Sequence, residues 1–418
     1  MNRLSEISRG VSILGLERVS ELLFLMGDPQ ERTHIVHVAG TNGKGSFTAM
    51  LSSVLKSAGY RVGSFSSPAI LGANESFRID GEVISEERLN ELINRIAPFA
   101  ESMSDKPTEF EVLTAAAFEL FAQEGCDIAV VECGLGGAGD STNVIKAPVL
   151  SVITNVQLDH TDRLGKTLAE IAEKKAGIIK EYRPVLFGGR DETAYSVIEK
   201  RAEALRAKLT RTDLSLLTVD RMGLDGTEIT FDGLKLTLPL LGAYQPENAA
   251  NVLTAVRLLN GEGLSIPESA VREGLKNTVW HARFEVLSRG TKEGEPVIIF
   301  DGSHNPDGVT LAAKSIKGIF GDKKAVLLMG VMADKDYNKY PDILREVTDR
   351  VFCVTPDNPR ALNSHALAAA LNSGGMNAEG YDDFSFAVRK AKEYAKEKSA
   401  PLVAMGTLYM YKQFVMSI

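Results

Sequence analysis

Cysteine is scarce in this sequence, with three residues among 418. They are Cys126, Cys133 and Cys353, and they form neither a CxxC pair nor the spacing of a zinc finger. The odd number and the wide spacing exclude a small disulfide-stapled secreted domain and favour a reduced, cytoplasmic protein. We expect Cys133 to be a small buried hydrophobe, because no cysteine–histidine signature surrounds it in the sequence.

Long apolar runs and an excess of positive charge are also missing. No segment approaches the roughly 20 apolar residues that span a bilayer, and the N-terminus has no signal-peptide core. With 47 basic and 55 acidic residues the net charge is −8, so we expect no nucleic-acid partner and no membrane partner. The contents of 44% hydrophobic and 24% charged residues are typical of a globular protein, here with about two or three domains.

Short apolar strands alternate with helical segments along the first part of the chain. Runs rich in branched residues occupy 34–39, 127–132 and 149–154, and helical periodicity occupies 109–123 and 166–180. This alternation predicts a mainly parallel sheet with helices on both faces, which is an α/β fold.

The pattern changes after the first part of the chain. Between 208 and 240, short β-like pieces separated by Asp-Gly turns predict a small antiparallel appendage. The α/β alternation then returns, with predicted strands at 296–300, 325–329, 351–354 and 401–405. We therefore predict a domain at 1–285 and a smaller Rossmann-like α/β domain at 286–418, joined by the polar segment 288–295.

A glycine-rich segment lies between the first strand and the following helix, and it reads Gly40-Thr41-Asn42-Gly43-Lys44-Gly45-Ser46. Backbone N–H groups and a helix N-terminus at such a turn can bind a nucleotide triphosphate, and Lys44 supplies a positive charge for its phosphates. Gly45 separates Lys44 from the Ser46 hydroxyl, unlike the usual Walker pattern. A plain strand-to-helix turn is the alternative, but the lysine favours a P-loop domain that binds ATP.

Two side chains after neighbouring strands are candidates for the metal chemistry that ATP requires. Mg²⁺ bound to phosphates takes one or two carboxylates from the protein. Glu132 ends a predicted strand and precedes glycines, which places it at the carboxyl edge of the sheet, where open α/β folds bind ligands. His160 follows the next strand. A solvated acid and a structural histidine remain the alternatives from these residues alone.

Several ordered segments together resemble one known family. The sequence runs that carry the resemblance are His37–Ser46, Ser66-Ser67-Pro68, Glu132–Gly137 with Asp140–Val144, Leu164–Leu168 with Lys175–Lys180, and Asp301–Pro306. They resemble the folylpolyglutamate synthase and dihydrofolate synthase family, which belongs to the Mur-type ATP-dependent amide ligases. The similarity extends from Gly15 to Tyr409, nearly the whole chain.

The resemblance implies a reaction and its substrates. A carboxylate of a folate or of dihydropteroate would accept the γ-phosphoryl group of ATP, and the amine of L-glutamate would attack the acyl phosphate to form an amide. The cofactors implied are ATP and Mg²⁺, and we expect a cytoplasmic monomer. Such chemistry requires neutralised phosphates, an acceptor held in line and exclusion of water.

The resemblance also assigns roles around the metal. Ser67, Glu132 and His160 match the positions that hold magnesium, and we add the Ser46 hydroxyl of the phosphate loop to this set. Lys175 matches a lysine that the family carbamylates, which would turn a cation into a carboxylate-like group. From its neighbours alone, Lys175 would be read as part of a solvated helix face.

The remaining candidates lie further along the chain. Gln245 and Asn248 match the adenine-binding stretch, and Arg283 matches an arginine that reaches the phosphates, where a guanidinium suits developing charge. In isolation Arg283 would be read as a surface ion pair. Asp301 and His304 look like residues that contact ribose, phosphate or the incoming amino acid. The catalytic set implied is Lys44, His160, Lys175 and Arg283.

This chain departs from the family pattern at several positions. It has Ala69 and Tyr244 where the family usually has histidine, Ala138 where it has arginine, Lys174 where an acid is common, and His281-Ala282 where it has proline and glycine. None of these changes removes the phosphate lysine, the metal carboxylate or the metal histidine. The polar groups missing at Ala69 and Ala138 bear instead on the acceptor and glutamate pockets.

Three hypotheses follow. The first is a folate ligase whose acceptor lies near 68–79, with Phe77 stacked on a pterin and Arg78 bound to a carboxylate. The second is an amide ligase of the same family with a different acceptor. The third is a catalytically degenerate nucleotide-binding protein, which would bind ATP without turnover.

Overall fold

Alternating strands and helices build three sheets in the computed structural model, which describes residues 2–10, 13–290 and 294–418. The chain forms two compact units. One contains the chain up to Leu217 together with Glu247–Thr278, and the other contains Thr218–Pro246 and Val279–Ile418. The division into domains at 285 and 286 stays a prediction.

The first unit is organised by an eight-stranded sheet in the order β4-β3-β2-β5-β1-β6-β7-β8. Its strands are β1 His34–Ala39, β2 Val62–Phe65, β3 Phe77–Ile79, β4 Glu82–Val83, β5 Ile128–Glu132, β6 Leu150–Ile153, β7 Val185–Phe187 and β8 Leu209–Arg211. The strands β3 and β4 run antiparallel to their neighbours, and the other pairs are parallel. The carboxyl ends of β1, β2, β5 and β6 therefore share one edge of the sheet.

Helices pack on this sheet and bury its apolar strands. They are α1 Asn2–Ile7, α2 Glu17–Leu25, α3 Lys44–Ser57, α4 Glu86–Ser102, α5 Glu109–Gln123, α6 Leu168–Ala176, α7 Glu192–Ala204, α8 Gln245–Gly261 and α9 Glu268–Lys276. The start of α5 is fixed by a capping box in which Thr108 and Glu111 satisfy each other's backbone N–H groups. The centre of this core contains three aromatic side chains, Phe65, Phe77 and Phe118, and each is at most 1% exposed.

The predicted antiparallel appendage is a three-stranded sheet of β9 Leu217–Gly223, β10 Gly226–Phe231 and β11 Leu234–Leu238. Phe231 pairs with Leu234, so Asp232 and Gly233 form a two-residue turn. Their φ angles of +50° and +78° are those of the turn that matches the twist of a hairpin.

The second unit contains a six-stranded sheet in the order β12-β13-β17-β14-β15-β16. Its strands are β12 Glu285–Ser288, β13 Ile298–Asp301, β14 Ala325–Met329, β15 Thr348–Cys353, β16 Ala378–Gly380 and β17 Leu402–Met405. All pairs are parallel except β12 with β13. The accompanying helices are α10 Pro306–Phe320, α11 Tyr340–Leu344, α12 Ser364–Ser373, α13 Phe384–Glu397 and α14 Tyr411–Val415.

The predicted fold class is confirmed, with a large mainly parallel sheet, a small antiparallel sheet and a second α/β sheet. The predicted polar joining segment is partly wrong, because Ser288 ends β12. Residues 291–293 of that segment lie outside the described residues. Within the described ranges, no helix combines the length and the apolar character needed to cross a membrane.

Candidate active site

The phosphate loop, residues 40–46, connects β1 to α3. Gly40 and Gly43 have φ angles of +153° and +85°, which side chains rarely adopt. A Cβ on Gly40 would lie 1.9 Å from Thr154 Oγ1, and one on Gly43 would lie 2.4 Å from Asn248 Oδ1. The φ angles therefore favour glycine at both positions, and at Gly40 the side chain of Thr154 also occupies the space of a Cβ. Asn248, which is predicted to contact the adenine base, lies directly against this loop.

The segment after β6 holds the phosphate loop through its backbone. Asn155 Oδ1 accepts hydrogen bonds from the N–H groups of Thr41 at 3.2 Å and Asn42 at 2.8 Å. The Asn42 side-chain amide donates to Gln157 Oε1 at 2.6 Å, and Thr154 Oγ1 donates to the Asn42 carbonyl at 2.7 Å. These supporting residues were missed from the sequence. The available signal was their position just after β6, the parallel neighbour of β1.

Two lysines meet at one carbonyl of the phosphate loop. Lys44 Nζ donates to the carbonyls of Gly40 at 3.1 Å and Thr41 at 3.3 Å, and it lies 3.8 Å from Glu132 Oε1. Lys175 Nζ donates to the same Gly40 carbonyl at 2.8 Å. This arrangement places the Lys44 ammonium group at the loop, where the phosphates of a nucleotide would lie.

The interpretation of Lys175 as part of a solvated helix face is wrong. Lys175 lies in the last turn of α6 with 3% of its surface exposed, whereas its neighbour Lys174 is exposed. Burial, and then the nearby charge of Lys44, lower the pKa of Lys175 to about 7. At neutral pH a large share of this amine is therefore unprotonated, which is unusual for lysine.

The oxygen donors near the loop suit a magnesium ion that is held mainly by phosphates. Glu132 ends β5 with 3% exposure, and Ser46 lies in the first turn of α3 with 2% exposure. Among the described residues, no group of three or more acidic, histidine or cysteine side chains is placed to hold a metal. A single carboxylate with a hydroxyl fits Mg²⁺, which keeps water and phosphate oxygens as its other ligands.

The structure places the two other predicted metal ligands near the same edge of the sheet. Ser67 follows β2 and is partly exposed, and the peptide bond from Ser67 to Pro68 is cis. His160 follows β6, is partly exposed and has a left-handed φ of +49°. Their positions agree with the resemblance, and their roles as ligands stay predictions.

Cys133 has a histidine partner that the sequence did not reveal. Cys133 Sγ lies 3.1 Å from His37 Nε2, and the same nitrogen lies 2.8 Å from Thr142 Oγ1. Burial lowers the pKa of His37 to about 3 and raises the pKa of the Cys133 thiol well above its usual value. Both groups are neutral at physiological pH. The contact therefore links the ends of β1 and β5 and is unsuited to nucleophilic catalysis.

The predicted stacking of Phe77 on a pterin is wrong. Phe77 is fully buried, and its ring centroid lies 5.3 Å from that of Phe65. Its aromatic faces belong to the core. Arg78, on the same strand, is partly buried and donates to the Gly81 carbonyl at 3.2 Å, so its proposed contact with a carboxylate stays a prediction.

The glycine-rich loop after Glu132 packs directly on the end of α6. The Ala138 N–H donates to the Lys174 carbonyl at 2.7 Å, and a Cβ on Gly177 would come within 2.4 Å of Ala138 Cα. This loop is therefore fixed against the helix that carries Lys175. The position where the family has arginine is occupied here by a methyl group beside that helix.

The remaining candidates are placed as follows. Gln245 is fully buried at the start of α8. Asp301 ends β13 and is fully buried, and His304 Nδ1 lies 3.0 Å from the Gly302 carbonyl. Arg283 is partly buried, and its Nη1 donates to the Ala282 carbonyl at 3.1 Å. Their contacts with nucleotide or amino acid stay predictions.

Comparisons with known proteins show the family of this chain. The family model described as the Mur ligase middle domain matches residues 38–258, and the model described as the Mur ligase, glutamate ligase domain matches residues 282–407. A dihydrofolate synthase/folylpolyglutamate synthase of Bacillus subtilis is 34% identical, over 94% of this chain and 93% of the relative. A folylpolyglutamate synthase of Lacticaseibacillus casei is 35% identical, over 94% and 92% of the two chains.

Solved structures extend the comparison to the fold. The folylpolyglutamate synthase of Mycobacterium tuberculosis complexed with ADP and AMPPCP superposes with a TM-score of 0.86 at 30% identity, over 94% of this chain and 93% of that one. A bifunctional folylpolyglutamate synthase/dihydrofolate synthase with Mn, AMPPNP and L-glutamate bound gives 0.82 at 30% identity, over 97% and 95%. The chain therefore belongs to the folylpolyglutamate synthase and dihydrofolate synthase family of Mur-type ligases.

Proposed function

We propose that this chain joins L-glutamate to the carboxylate of a folate in a reaction driven by ATP. The observation that carries the proposal is the convergence of Lys44, Lys175 and Glu132 on the phosphate loop, in a chain that belongs to a family of folate ligases. The relatives named for both folylpolyglutamate and dihydrofolate synthesis support a second acceptor, dihydropteroate, at the same site.

The phosphate loop holds the triphosphate through its backbone and Lys44. The N-cap Gly43 has no side chain to cap α3, so the first turn of that helix offers its N–H groups to an anion. Asn248 lies against Gly43, so we expect it to contact the same nucleotide, with Gln245 as the second predicted adenine contact. Thr41 and Asn42 are fixed by Asn155, so the loop is held in one conformation.

A divalent metal would be held by Glu132 and Ser46, with Ser67 and His160 as the further predicted ligands. Mg²⁺ supplies positive charge that screens the phosphates and stabilises the charge that develops during phosphoryl transfer. Glu132 Oε1 lies 3.8 Å from Lys44 Nζ, so that carboxylate also balances the positive charge of the lysine.

The chemistry then follows in two steps. A carboxylate oxygen of the acceptor attacks the γ-phosphorus, the bond to the β-phosphate oxygen breaks, and ADP leaves. The amine of glutamate attacks the acyl carbon, the bond from that carbon to the phosphate oxygen breaks, and the amine loses a proton. Lys44 and Arg283 are proposed to stabilise the charge on the transferring phosphoryl group, with Asp301 and His304 supporting the second step.

Carbamylation of Lys175 is a further part of this proposal. Its neutral amine can add to CO₂ to give a carbamate and a proton, and the share of neutral amine rises as the pH rises through about 7. Carbon-13 NMR after incubation with labelled bicarbonate should show a carbamate signal that increases with pH. The Lys175→Met variant should lack the signal and lose activity at least about hundredfold.

Lys174→Met is the matched control for this experiment, because the neighbouring lysine is exposed. It should keep both the signal and the activity. A Lys175→Met variant with unchanged activity would remove Lys175 from the site.

The function itself is tested by ADP release with tetrahydrofolate plus glutamate and, separately, with dihydropteroate plus glutamate. Stimulation by one or both acceptors supports the folate ligase and identifies which reactions it performs. Stimulation only by other carboxylates in an acceptor panel would support the ligase with a different acceptor. ATP binding by calorimetry with no ADP formed under any acceptor would support the degenerate nucleotide-binding protein.

A further inference from the structure

The backbone around Arg283 is bent through two left-handed residues that are not glycine. Ala282 and Phe284 have φ angles of +58° and +49° and are both fully buried. Such angles are unfavourable for residues with a Cβ and persist only where surrounding contacts impose them. We call residues 281–284 the Arg283 bend.

One side of the bend is held by the buried carboxylate of Asp301. Its Oδ2 accepts hydrogen bonds from the Phe284 N–H at 2.8 Å and from the Tyr244 hydroxyl at 2.7 Å. Its Oδ1 accepts from the Ser303 N–H at 2.9 Å and also from the Ser303 hydroxyl. Both carboxylate oxygens of Asp301 are thus engaged within this unit.

The other side of the bend is held by Glu285. Its Oε2 accepts from the Ala282 N–H at 2.7 Å and from the Tyr411 hydroxyl at 2.8 Å, and its Oε1 lies 2.7 Å from His281 Nδ1. The Tyr411 ring is itself fixed edge-on against Phe300, with centroids 4.9 Å apart. The bend is therefore held from both sides by carboxylates that are each oriented by a tyrosine.

The guanidinium of Arg283 is aimed by the same contacts. Its Nη1 donates to the Ala282 carbonyl, which also accepts from the Gly302 N–H at 3.0 Å. A Cβ on Gly302 would lie 2.6 Å from Arg283 Nη1. The arginine thus passes directly over Gly302, and its direction depends on the position of the Ala282 carbonyl.

We propose that Tyr244 is a positioning residue, whose hydroxyl holds Asp301 and through it the Arg283 bend. This inference rests on the proposed function, because it concerns the arginine that acts on the phosphates. Tyr244 stands where the family usually has histidine, and its ring fits because Gly242 has no Cβ, which would lie 2.9 Å from the ring. Partial burial and the neighbouring Asp301 carboxylate raise the pKa of Tyr244 well above its usual value, so the hydroxyl remains a donor.

The test is the kinetic comparison of Tyr244→Phe with Tyr244→His. The phenylalanine keeps the ring and loses the donor, so kcat should fall about tenfold, the value expected for a lost hydrogen bond to a charged group. The KM values for ATP and for the acceptor should change less than about twofold, because Tyr244 itself is assigned no ligand and Asp301 keeps its hydrogen bonds from Phe284 and Ser303. Histidine retains a donor and should restore most of kcat.

A double-mutant cycle distinguishes positioning from a general loss of folded protein. In an Arg283→Lys background, where the cation is no longer aimed by the Ala282 carbonyl, Tyr244→Phe should reduce kcat less than about threefold. An undiminished tenfold loss in that background would overturn the proposal. The stoichiometry of ATP binding by calorimetry gives the fraction of active protein in each variant.

Tyr381→Phe is the matched control, because its ring packs against Phe352, with centroids 5.7 Å apart, in the same unit. It should leave kcat unchanged. Wild-type kcat in Tyr244→Phe would overturn this inference and leave the proposed function standing. Absence of ADP release by the wild type with every acceptor would overturn both.

Discussion

The phosphate loop and the Arg283 bend both present a cation on unusual backbone, but they achieve this by different means. In the phosphate loop the positive φ angles fall on Gly40 and Gly43, which adopt them at little cost. In the Arg283 bend they fall on Ala282 and Phe284, each at a cost of about 1–2 kcal/mol. The bend must therefore be imposed by its neighbours against strain, whereas glycine lets the loop adopt its angles without strain, and Asn155 and Thr154 then hold it there.

The phosphate loop and the Arg283 bend therefore have different structural requirements. The loop needs space, because neighbouring side chains fill the volume that a Cβ would occupy. The bend needs hydrogen bonds, because the carboxylates of Asp301 and Glu285 hold it on both sides. Substitutions can test these two requirements separately.

The largest expected effect is that of Lys44→Ala. Removal of the ammonium group leaves the phosphates without their principal charge partner, so turnover should fall by at least about a thousandfold. The fold should remain intact, because Lys44 is partly exposed, and water can replace it at the two carbonyls and at the Glu132 carboxylate that it contacts. ADP release and thermal unfolding measure the two outcomes, and wild-type rates would contradict the site.

The next effect is that of Gly40→Ala, which tests the need for space. The new Cβ would lie 1.9 Å from Thr154 Oγ1, so the loop must shift. We expect a loss of activity of at least about hundredfold and a loss of about 2 kcal/mol or more in the free energy of unfolding. Chemical denaturation and ADP release measure both quantities. A fully active, equally stable variant would show that the loop has another conformation.

The smallest effect is expected for Ala282→Gly, which is the opposite change in the bend. Glycine relieves the left-handed strain but adds freedom to the unfolded chain, and the two terms of about 1 kcal/mol each nearly cancel. We expect the free energy of unfolding to change by less than about 1 kcal/mol, with kcat retained because the hydrogen bonds of the bend remain. A destabilisation larger than that would show that Ala282 does not have a left-handed φ.

Local patterns in the sequence predicted the centre of the fold well. The predicted strands at 34–39 and 325–329 and the predicted helix at 109–123 have the bounds of β1, β14 and α5, because branched apolar runs and helical periodicity are strong there. Short edge strands such as β4, with the two residues Glu82 and Val83, have no such pattern. Their pairing depends on neighbouring strands.

The residues of the candidate site also fall into those that local sequence patterns revealed and those that depend on distant contacts. The phosphate loop was visible because its glycines and its lysine are contiguous. The burial of Lys175 was hidden, because its partner, the Gly40 carbonyl, lies 135 residues away in the chain. The role of Phe77 was misjudged for the same reason, since its packing on Phe65 depends on the pairing of β3 with β2.

The hydrogen bonds of Lys44 to the carbonyls of Gly40 and Thr41 have a consequence for nucleotide entry. The ammonium group donates to both carbonyls, so a triphosphate that binds at the loop must share or replace these hydrogen bonds. Lys175 also donates to the Gly40 carbonyl. It can keep this hydrogen bond after Lys44 turns toward the phosphates. Nucleotide binding then becomes an exchange of hydrogen-bond partners for Lys44. The Gly40 carbonyl keeps a donor throughout, and the loop keeps its conformation.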